Sequence, residues 1–460
     1  MVSFSALDII IILSFFAIVL LTGFLAGKSK KDTENYLLSG RKVGLTLFIL
    51  SNVATWYGGI LGVGEFTYRY GLVSWLTQGL PYYIFAVLFA VFFAGKIRTA
   101  SLFTIPDKLE QTYGRKVGII SAFLIFILVS PAPYVLMVGS MISLIFNIQL
   151  LPSLAIAVFI SVIYLFPGGY KSDLYTDAFQ FFVMFAGFII IVVVSYTTLG
   201  GFDFLKSNLP ESHLSITGNT SSIYILVWFL IALWTFTDPG FHQRCYAAKS
   251  ATVASKGILI SVIFWILFDF LTTSTGLYAR ADLPALENPV LAFPLFAERV
   301  LASGLKGIFY AALFATIIST LNTFLFISAT TFGRDFVFKI KRGAVEKKIA
   351  DYTKLGLLIA SILSILLAFF IDSVIELWYT IGSLCIPGII LLIMSAYYPK
   401  FKISNKAALI EIVSATSASI IWLMLRTIFS GLPLFDVIEP MIVGMAAALL
   451  VHFLFFKKFV

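Results

Sequence analysis

Residues 51–66 read SNVATWYGGILGVGEF and lie inside an apolar run, 43–71, long enough to cross a membrane. Ser51, Asn52, Thr55 and the pair Gly58-Gly59 fall where hydrocarbon would be deepest. In a bilayer every backbone N–H and C=O must find a partner, so a helix breaks at mid-depth only where the freed groups line an enclosed cavity or hold a ligand. The stretch from Asn52 to Gly59 reads as such a break. On the glycines alone, close helix packing with hydroxyls bonded back to their own helix is the favoured reading. GGILGVG is no dinucleotide fingerprint, since no strand precedes it.

The rest of the chain supplies the frame. Of 460 residues 60% are hydrophobic and 12% charged, and mean hydropathy is +1.00, whereas a soluble domain is about a quarter charged. A hydrocarbon core of about 30 Å takes helices of about 20 apolar residues. Thirteen such segments are expected, at 6–26, 43–71, 73–95, 116–147, 151–168, 174–199, 222–247, 253–280, 305–332, 351–371, 373–397, 405–429 and 436–457. The first is read as a retained helix and not a signal peptide: it lacks a basic start, carries Asp8, and is followed by basic residues in place of a cleavage site.

With the N-terminus outside, 26 of the 32 lysines and arginines fall on the inner side, Lys28, Lys30, Lys31, Arg244 and Lys341 among them. Six remain outside: Arg69, Lys206, Arg280, Arg299, Lys306 and Arg426. That split predicts an odd helix number and a cytoplasmic C-terminus in a cell membrane. The net charge of +9 is then topology, and no nucleic-acid partner is expected. Cys245 and Cys385 are isolated thiols that indicate neither a disulfide framework nor a zinc site. Stretches outside the segments are too short for a soluble catalytic domain, so residues 1–460 read as one membrane domain and no enzyme is expected. A monomer is compatible with this.

A second interruption stands in the seventh segment, where Trp234-Thr235-Phe236-Thr237-Asp238-Pro239-Gly240 offers Asp238 as N-cap and Pro239 as first helical residue of a half-helix through Arg244. Five segments run from the second to the sixth and five from the seventh to the eleventh, so each group opens with a broken helix and the two have opposite orientations. The expected architecture is all-α: a first repeat over 43–199, an inverted second repeat over 222–397, one helix (6–26) before them and two (405–457) after. Such inverted repeats hold solute and ions at the discontinuities near the midplane.

Tyr68-Arg69-Tyr70-Gly71 closing the broken helix, GGYKSDLYTD at 168–177, QRCYAAK at 243–249 and the run 307–335 together resemble the sodium:solute symporter family. The resemblance covers essentially the whole chain and implies the leucine-transporter-like fold of five plus five inverted helices, with sodium as coupling ion and a small organic solute as cargo. In the ninth segment, Thr316, Ser319, Thr320 and Thr323 recur at three- and four-residue spacing and share one helical face. Hydroxyls in membrane helices are often packing glue. A hard cation, however, wants several oxygens, and hydroxyls with unwound carbonyls supply them without excess charge. By resemblance Ser319 and Thr320 match the family's hydroxyl ligands for sodium, Thr316 a carbonyl ligand, and Leu50 and Val53 the partner carbonyls.

Asp177 is a carboxylate in a membrane segment, functional by default. The resemblance sets it on the inner sodium path, against a capping role at the start of its helix; within reach of Ser319 it would complete a second sodium site. Glu65 and Asp269 stand equally between structural and functional roles. With Asp177 they keep a proton-coupled carrier open as the alternative, beside an uncoupled facilitator. His213, His242 and His452 fall outside helices or near their ends and give the proton little support. Position at the breaks and on facing helices makes Asn52, Thr55, Trp56, Tyr57, Gln78, Trp234 and Thr235 the solute candidates. These are mainly aromatic and uncharged, which suits a small amphiphilic or cationic solute. Trp56-Tyr57 stands where sugar-carrying relatives show a polar pair, which argues against a sugar. No channel filter and no metal or nucleophile motif is present in the sequence.

Overall fold

The computed structural model describes residues 3–27, 32–340, 348–370, 374–432, 435 and 438–456. Lys28, Lys30, Lys31 and Lys341 lie outside the described residues, as do 371, 373, 436, 437 and 457 at the expected ends of the tenth, eleventh and thirteenth segments. Among the described residues the chain is helical, with one isolated bridge, Val43 to Ala248.

The spanning elements are α1 (Ala6–Ala26), α2 in two halves, α2a (Leu45–Trp56) and α2b (Ile60–Tyr70), α3 (Trp75–Ala100), α4 (Arg115–Phe146), α5 (150–168), α6 (170–199), α7 (Ser222–Ala247), α8 (Ala251–Asp282), α9 (Leu305–Phe338), α10 (Ile349–Phe370), α11 (Val374–Tyr397), α12 (Asn405–Ile428) and α13 (Pro440–Phe456). Ten helices are each long and apolar enough to cross a bilayer, and α2a with α2b makes an eleventh, bent by 55°. Dividing the 50-residue helix Leu150–Leu199 at Gly169 and adding the shorter α13 gives thirteen among the described residues.

The expected gap between the fifth and sixth segments, 169–173, closes to one residue. Gly169 adopts φ 60° and ψ −151°, where a side chain would run into the carbonyl of Tyr36. Helix resumes at once, so Asp173 and Asp177 lie inside α6 and not at its mouth.

Both breaks form, the first shorter than expected: Asn52 to Trp56 remain helical as the last residues of α2a. Tyr57, Gly58 and Gly59 interrupt α2. In α7 the chain runs as α7a (Ser222–Ile231), a short turn Trp234–Thr237 and α7b (Pro239–Ala247). Asp238 has extended backbone and its Oδ1 accepts the N–H groups of Gly240 (2.6 Å) and Phe241 (3.2 Å), the cap that the Asp-Pro pair predicts.

At the centre stands α9, in which every residue from Phe309 to Thr330 is buried. A helix apolar nearly all round belongs inside, with its few hydroxyls facing partners. Around it pack α1, α2a, α4, α6 and α10. The extra helix α1 is fixed by Asp8, whose Oδ1 accepts the N–H groups of Gly304 (2.8 Å) and Gly307 (2.9 Å) at the start of α9.

Candidate functional site

The two breaks meet at a cavity of about 290 Å³. Asn52, Thr55, Trp56 and Tyr57 from α2, Trp234 and Phe241 from α7, Gln78 and Tyr82 from α3, Tyr134 from α4, and Thr320 and Phe324 from α9 line it, with Trp378 of α11 and Asp269 of α8. The lining extends along α2b and α7a through Val63, Phe66, Trp228 and Ile231. At the other end the main chain of Val43 pairs with Ala247 (3.2 Å) and Lys249 (2.8 Å), Arg41 bonds the carbonyls of Ser101, Leu102 and Tyr246, and the Tyr246 and Tyr397 hydroxyls meet at 2.8 Å. That end is closed.

Aromatic rings form most of the wall. Trp56 stacks on Trp265 at 4.8 Å between centroids and takes the edges of Tyr82 (5.2 Å) and Phe241 (5.5 Å). Tyr57 lies on Phe268 at 4.4 Å and donates to the Trp265 carbonyl at 2.8 Å. Trp234 donates from Nε1 to Asp238 Oδ2 at 3.0 Å. Asn52 and Gln78 line the cavity, and their buried amide nitrogens have no protein partner. Thr235 is the exception among the sequence candidates. It is buried off the cavity with its hydroxyl on the Ala232 carbonyl (2.9 Å), because the short turn before Asp238 rolls it back on its own helix.

Beneath the cavity, α2a, α6, α7b and α9 converge on a polar cluster. Asp177, fully buried, accepts the hydroxyls of Ser51 (2.6 Å) and Ser319 (2.8 Å) and, at 3.2 Å, that of Thr55. The Thr55 and Ser319 hydroxyl oxygens are 3.2 Å apart, and Thr320 donates to the Thr55 carbonyl at 2.6 Å. Thr316 turns its hydroxyl to the Leu313 carbonyl (2.7 Å) and offers its own carbonyl to Thr320 at 3.4 Å. Gly58 makes the approach possible, since a Cβ there would overlap Cβ and Oγ1 of Thr320. Val53 to Trp56 are the last residues of α2a, whose carbonyls lack helical N–H partners; the one α9 engages is Thr55's. Leu50 lies deeper in the half-helix, where carbonyls serve the helix itself.

Arg244 is the residue that sequence reasoning misplaced. Counted with the inner loop charges, it is 3% exposed and lies in the cluster. It donates to Thr55 Oγ1 (2.5 Å), Ser51 Oγ (3.2 Å) and the Gly240 carbonyl (3.2 Å), with Nη2 3.7 Å from Asp177 Oδ2. Asp173, one turn before Asp177, accepts the Thr323 hydroxyl at 2.8 Å. Glu65 pairs with Arg69 one turn on at 2.9 Å. His242, expected at a helix end, is buried within α7b against the Phe236 carbonyl (3.1 Å), and His452 pairs with Glu411 (2.8 Å) inside the α12–α13 packing.

Chemically the cluster is a set of hydroxyl, carbonyl and carboxylate oxygens joining three helices, the donor set a hard monovalent cation takes. Such an ion would replace the hydrogen bonds among Ser319, Thr320 and Thr55 with ion–oxygen contacts and hold α2a against α9.

The model describing the sodium:solute symporter family matches residues 36–414. The chain belongs to that family. Sodium-coupled symport of a small solute follows from the membership. Among relatives of this symporter, a high-affinity choline transporter of Caenorhabditis elegans is 25% identical over 82% of this chain and 71% of its own. An osmoregulated proline transporter of Bacillus subtilis is 25% identical over 97% of this chain and 94% of its own. The fold is that of a sodium-coupled sialic acid symporter solved substrate-bound and outward-open, with a TM-score of 0.84 at 17% identity, covering 100% of this chain and 98% of that one. The symporter thus has the leucine-transporter-like fold expected for it.

Proposed function

We propose that this symporter carries a small organic cation into the cell with sodium, from outside through the cavity between the two breaks. The observation behind the cargo is the cavity wall: indoles and phenols (Trp56, Trp234, Trp378, Tyr82 and Tyr134), two carboxylates (Asp238 and Asp269), and, among the described residues, a single guanidinium, Arg244, already engaged by Ser51, Thr55 and Gly240. Rings of negative face attract cations strongly when water is excluded, and among the described residues no positive group stands free on that wall to receive an anion. That one relative is named a choline transporter agrees with a cationic cargo.

Sodium binds among Thr316, Ser319 and Thr320 of α9 and the terminal carbonyls of α2a, that of Val53 among them, while Leu50, deeper in the half-helix, drops out of the set; Asp177 lies on its inner route or in a second site with Ser319. The solute contacts are Asn52, Thr55, Trp56, Tyr57, Gln78 and Trp234. The N-terminus is outside and the C-terminus cytoplasmic, so the closed end at Arg41, Tyr246 and Tyr397 faces inward and the described state is outward-facing. The repeats span 43–199 and 222–397.

The test is uptake into proteoliposomes of radiolabelled choline, ethanolamine, proline, glucose and acetate under an imposed sodium gradient. Expected is accumulation of a cation, driven by inward sodium and abolished when potassium replaces it. Uptake of glucose, acetate or proline alone would overturn the cargo. Cation uptake equal in sodium and potassium would count against the coupling and favour a facilitator. Replacing Ser319 and Thr320 together by Ala removes both hydroxyls. The sodium concentration for half-maximal uptake should then rise at least tenfold, with the melting temperature in sodium-free buffer within about 4 °C of the parent. An unchanged sodium requirement would move the ion elsewhere.

A further inference from the structure

One carboxylate on the cavity wall has acceptor capacity to spare. Asp238 is satisfied: Oδ1 takes the Gly240 and Phe241 N–H groups and Oδ2 the indole of Trp234. Asp269 is not. It lies on α8 one turn beyond Trp265, in the part of the cavity that Trp75, Gln78, Gly79 and Thr273 also line. Its Oδ2 accepts the Tyr83 hydroxyl. Tyr57 stands beside it, but the Tyr57 proton goes to the Trp265 carbonyl at 2.8 Å. An ionised carboxylate offers about four acceptor positions. Among the described residues no lysine, arginine or histidine pairs with Asp269; the groups that act on it are Tyr83 and Tyr57.

Space at this carboxylate is kept open. Gly79 faces it, so that a Cβ there would stand 3.0 Å from Asp269 Oδ2 and 2.9 Å from the Tyr83 hydroxyl. Gln78, on the same wall, leaves its amide nitrogen without a protein partner, a donor suited to an oxygen elsewhere on the cargo and not to its ammonium. An ionisable side chain deep in a membrane domain is costly and usually functional. A bulky quaternary cation does not need it, because such a cation presents only methyl groups, which aromatic faces already accommodate. A protonated amine does, since its N⁺–H makes the short, charge-assisted bond that a carboxylate rewards most.

We infer that Asp269 is the counter-charge of the transported cation, and that this cation carries at least one N–H: an amine protonated at nitrogen, not a fully quaternary ammonium. The inference rests on the organic-cation reading of the cavity. It sets this symporter apart from the relative named for choline. The body of the amine lies among Trp56, Trp234 and Phe241, and its nitrogen points to Asp269.

The experiment uses matched pairs that differ only in methylation at nitrogen: ethanolamine against choline, and 2-phenylethylamine against its trimethylammonium form. Binding to the full-length purified protein is measured in sodium by thermal shift and calorimetry, for the parent and for Asp269→Asn, which keeps the Tyr83 contact and removes the charge. In the parent the N–H form should bind at least tenfold tighter in at least one pair. Asp269→Asn should lose that preference tenfold or more, while affinity for the quaternary form changes less than threefold. Ser261→Ala, which strips a hydroxyl from the same helix away from the cavity, should retain the preference.

If Asp269→Asn does not fold, Asp269→Glu carries the test, and the displaced charge should cut the preference at least fivefold. Quaternary forms binding as well as N–H forms, or a preference indifferent to Asp269, overturns the inference and leaves the organic-cation reading standing. Sodium-dependent binding of a sugar, a carboxylate or a zwitterionic amino acid with no response to any of these cations overturns that reading, and the inference falls with it.

Discussion

Asp177→Asn should abolish sodium-driven uptake, lowering the initial rate at least about 100-fold, while the protein remains monodisperse in detergent. The carboxylate accepts hydroxyls from two different helices, Ser51 and Thr55 of α2a and Ser319 of α9, and stands 3.7 Å from the Arg244 guanidinium. Hydrogen bonds to a charged group contribute about 1.5–3 kcal/mol each. Loss of about 2.8 kcal/mol from the sodium-bound arrangement alone is about 100-fold. The amide would keep an acceptor oxygen but turn N–H groups toward donors, and it would leave Arg244 without its counter-charge. Breaking a buried pair on one side costs about 3–5 kcal/mol, so part of the effect will appear as lost stability. Uptake at a fixed amount of folded protein separates the two. Uptake within twofold of the parent would return Asp177 to a structural role.

Gly58→Ala should be nearly as severe. The glycine of the break lies directly against Thr320, and a methyl there would overlap both Cβ and Oγ1 of that threonine. Thr320 cannot retreat, because it belongs to a helix buried on all sides from Phe309 to Thr330. Forcing atoms into a packed interior costs about 1–3 kcal/mol, and here the strain would relax by pushing α2a off α9, parting the Thr320 hydroxyl from the Thr55 carbonyl. Sodium-dependent thermal stabilisation should disappear and uptake fall at least tenfold. Gly62→Ala, where the new methyl would meet only the Trp378 ring at 3.3 Å, should retain most activity. Equal effects at the two positions would show general packing damage and remove Gly58 from the ion site.

Why the breaks could be read from sequence while parts of the site could not is a matter of range. Asp238-Pro239 acts through local backbone chemistry, visible in two residues, whereas Gly58-Gly59 reads as a break only beside that second interruption and the five-plus-five arrangement of segments. The hydroxyl face of α9 is visible through its period alone. Arg244 is different: QRCYAAK looks like a helix end running into a basic loop, and only the approach of α2a with Ser51 and Thr55 buries the guanidinium. Asp173 is hidden for a related reason, since the segments expected at 151–168 and 174–199 leave it between them, whereas the chain breaks only at Gly169. Trp378, Tyr82 and Tyr134 carry no sign that distinguishes a cavity ring from a lipid-facing one in a chain that is 16% aromatic. Asp269 did give a signal, a lone acid in the run FWILFDFLTT, but its open acceptors appear only once Asp238 is seen to be satisfied.

Coupling is the central claim, and it has a thermodynamic signature independent of the transport assay. If sodium and the organic cation stabilise the same arrangement of α2 against α9, each must raise the affinity for the other by the same factor. The most direct measurement is therefore the sodium affinity of the purified protein, titrated by thermal shift at constant ionic strength against potassium, with and without saturating 2-phenylethylamine, and the converse titration of the amine with and without sodium. Expected is a gain of at least fivefold in each direction, equal within error. Sodium stabilisation that is indifferent to the amine, or amine binding equally tight in potassium, would contradict coupled symport of an organic cation.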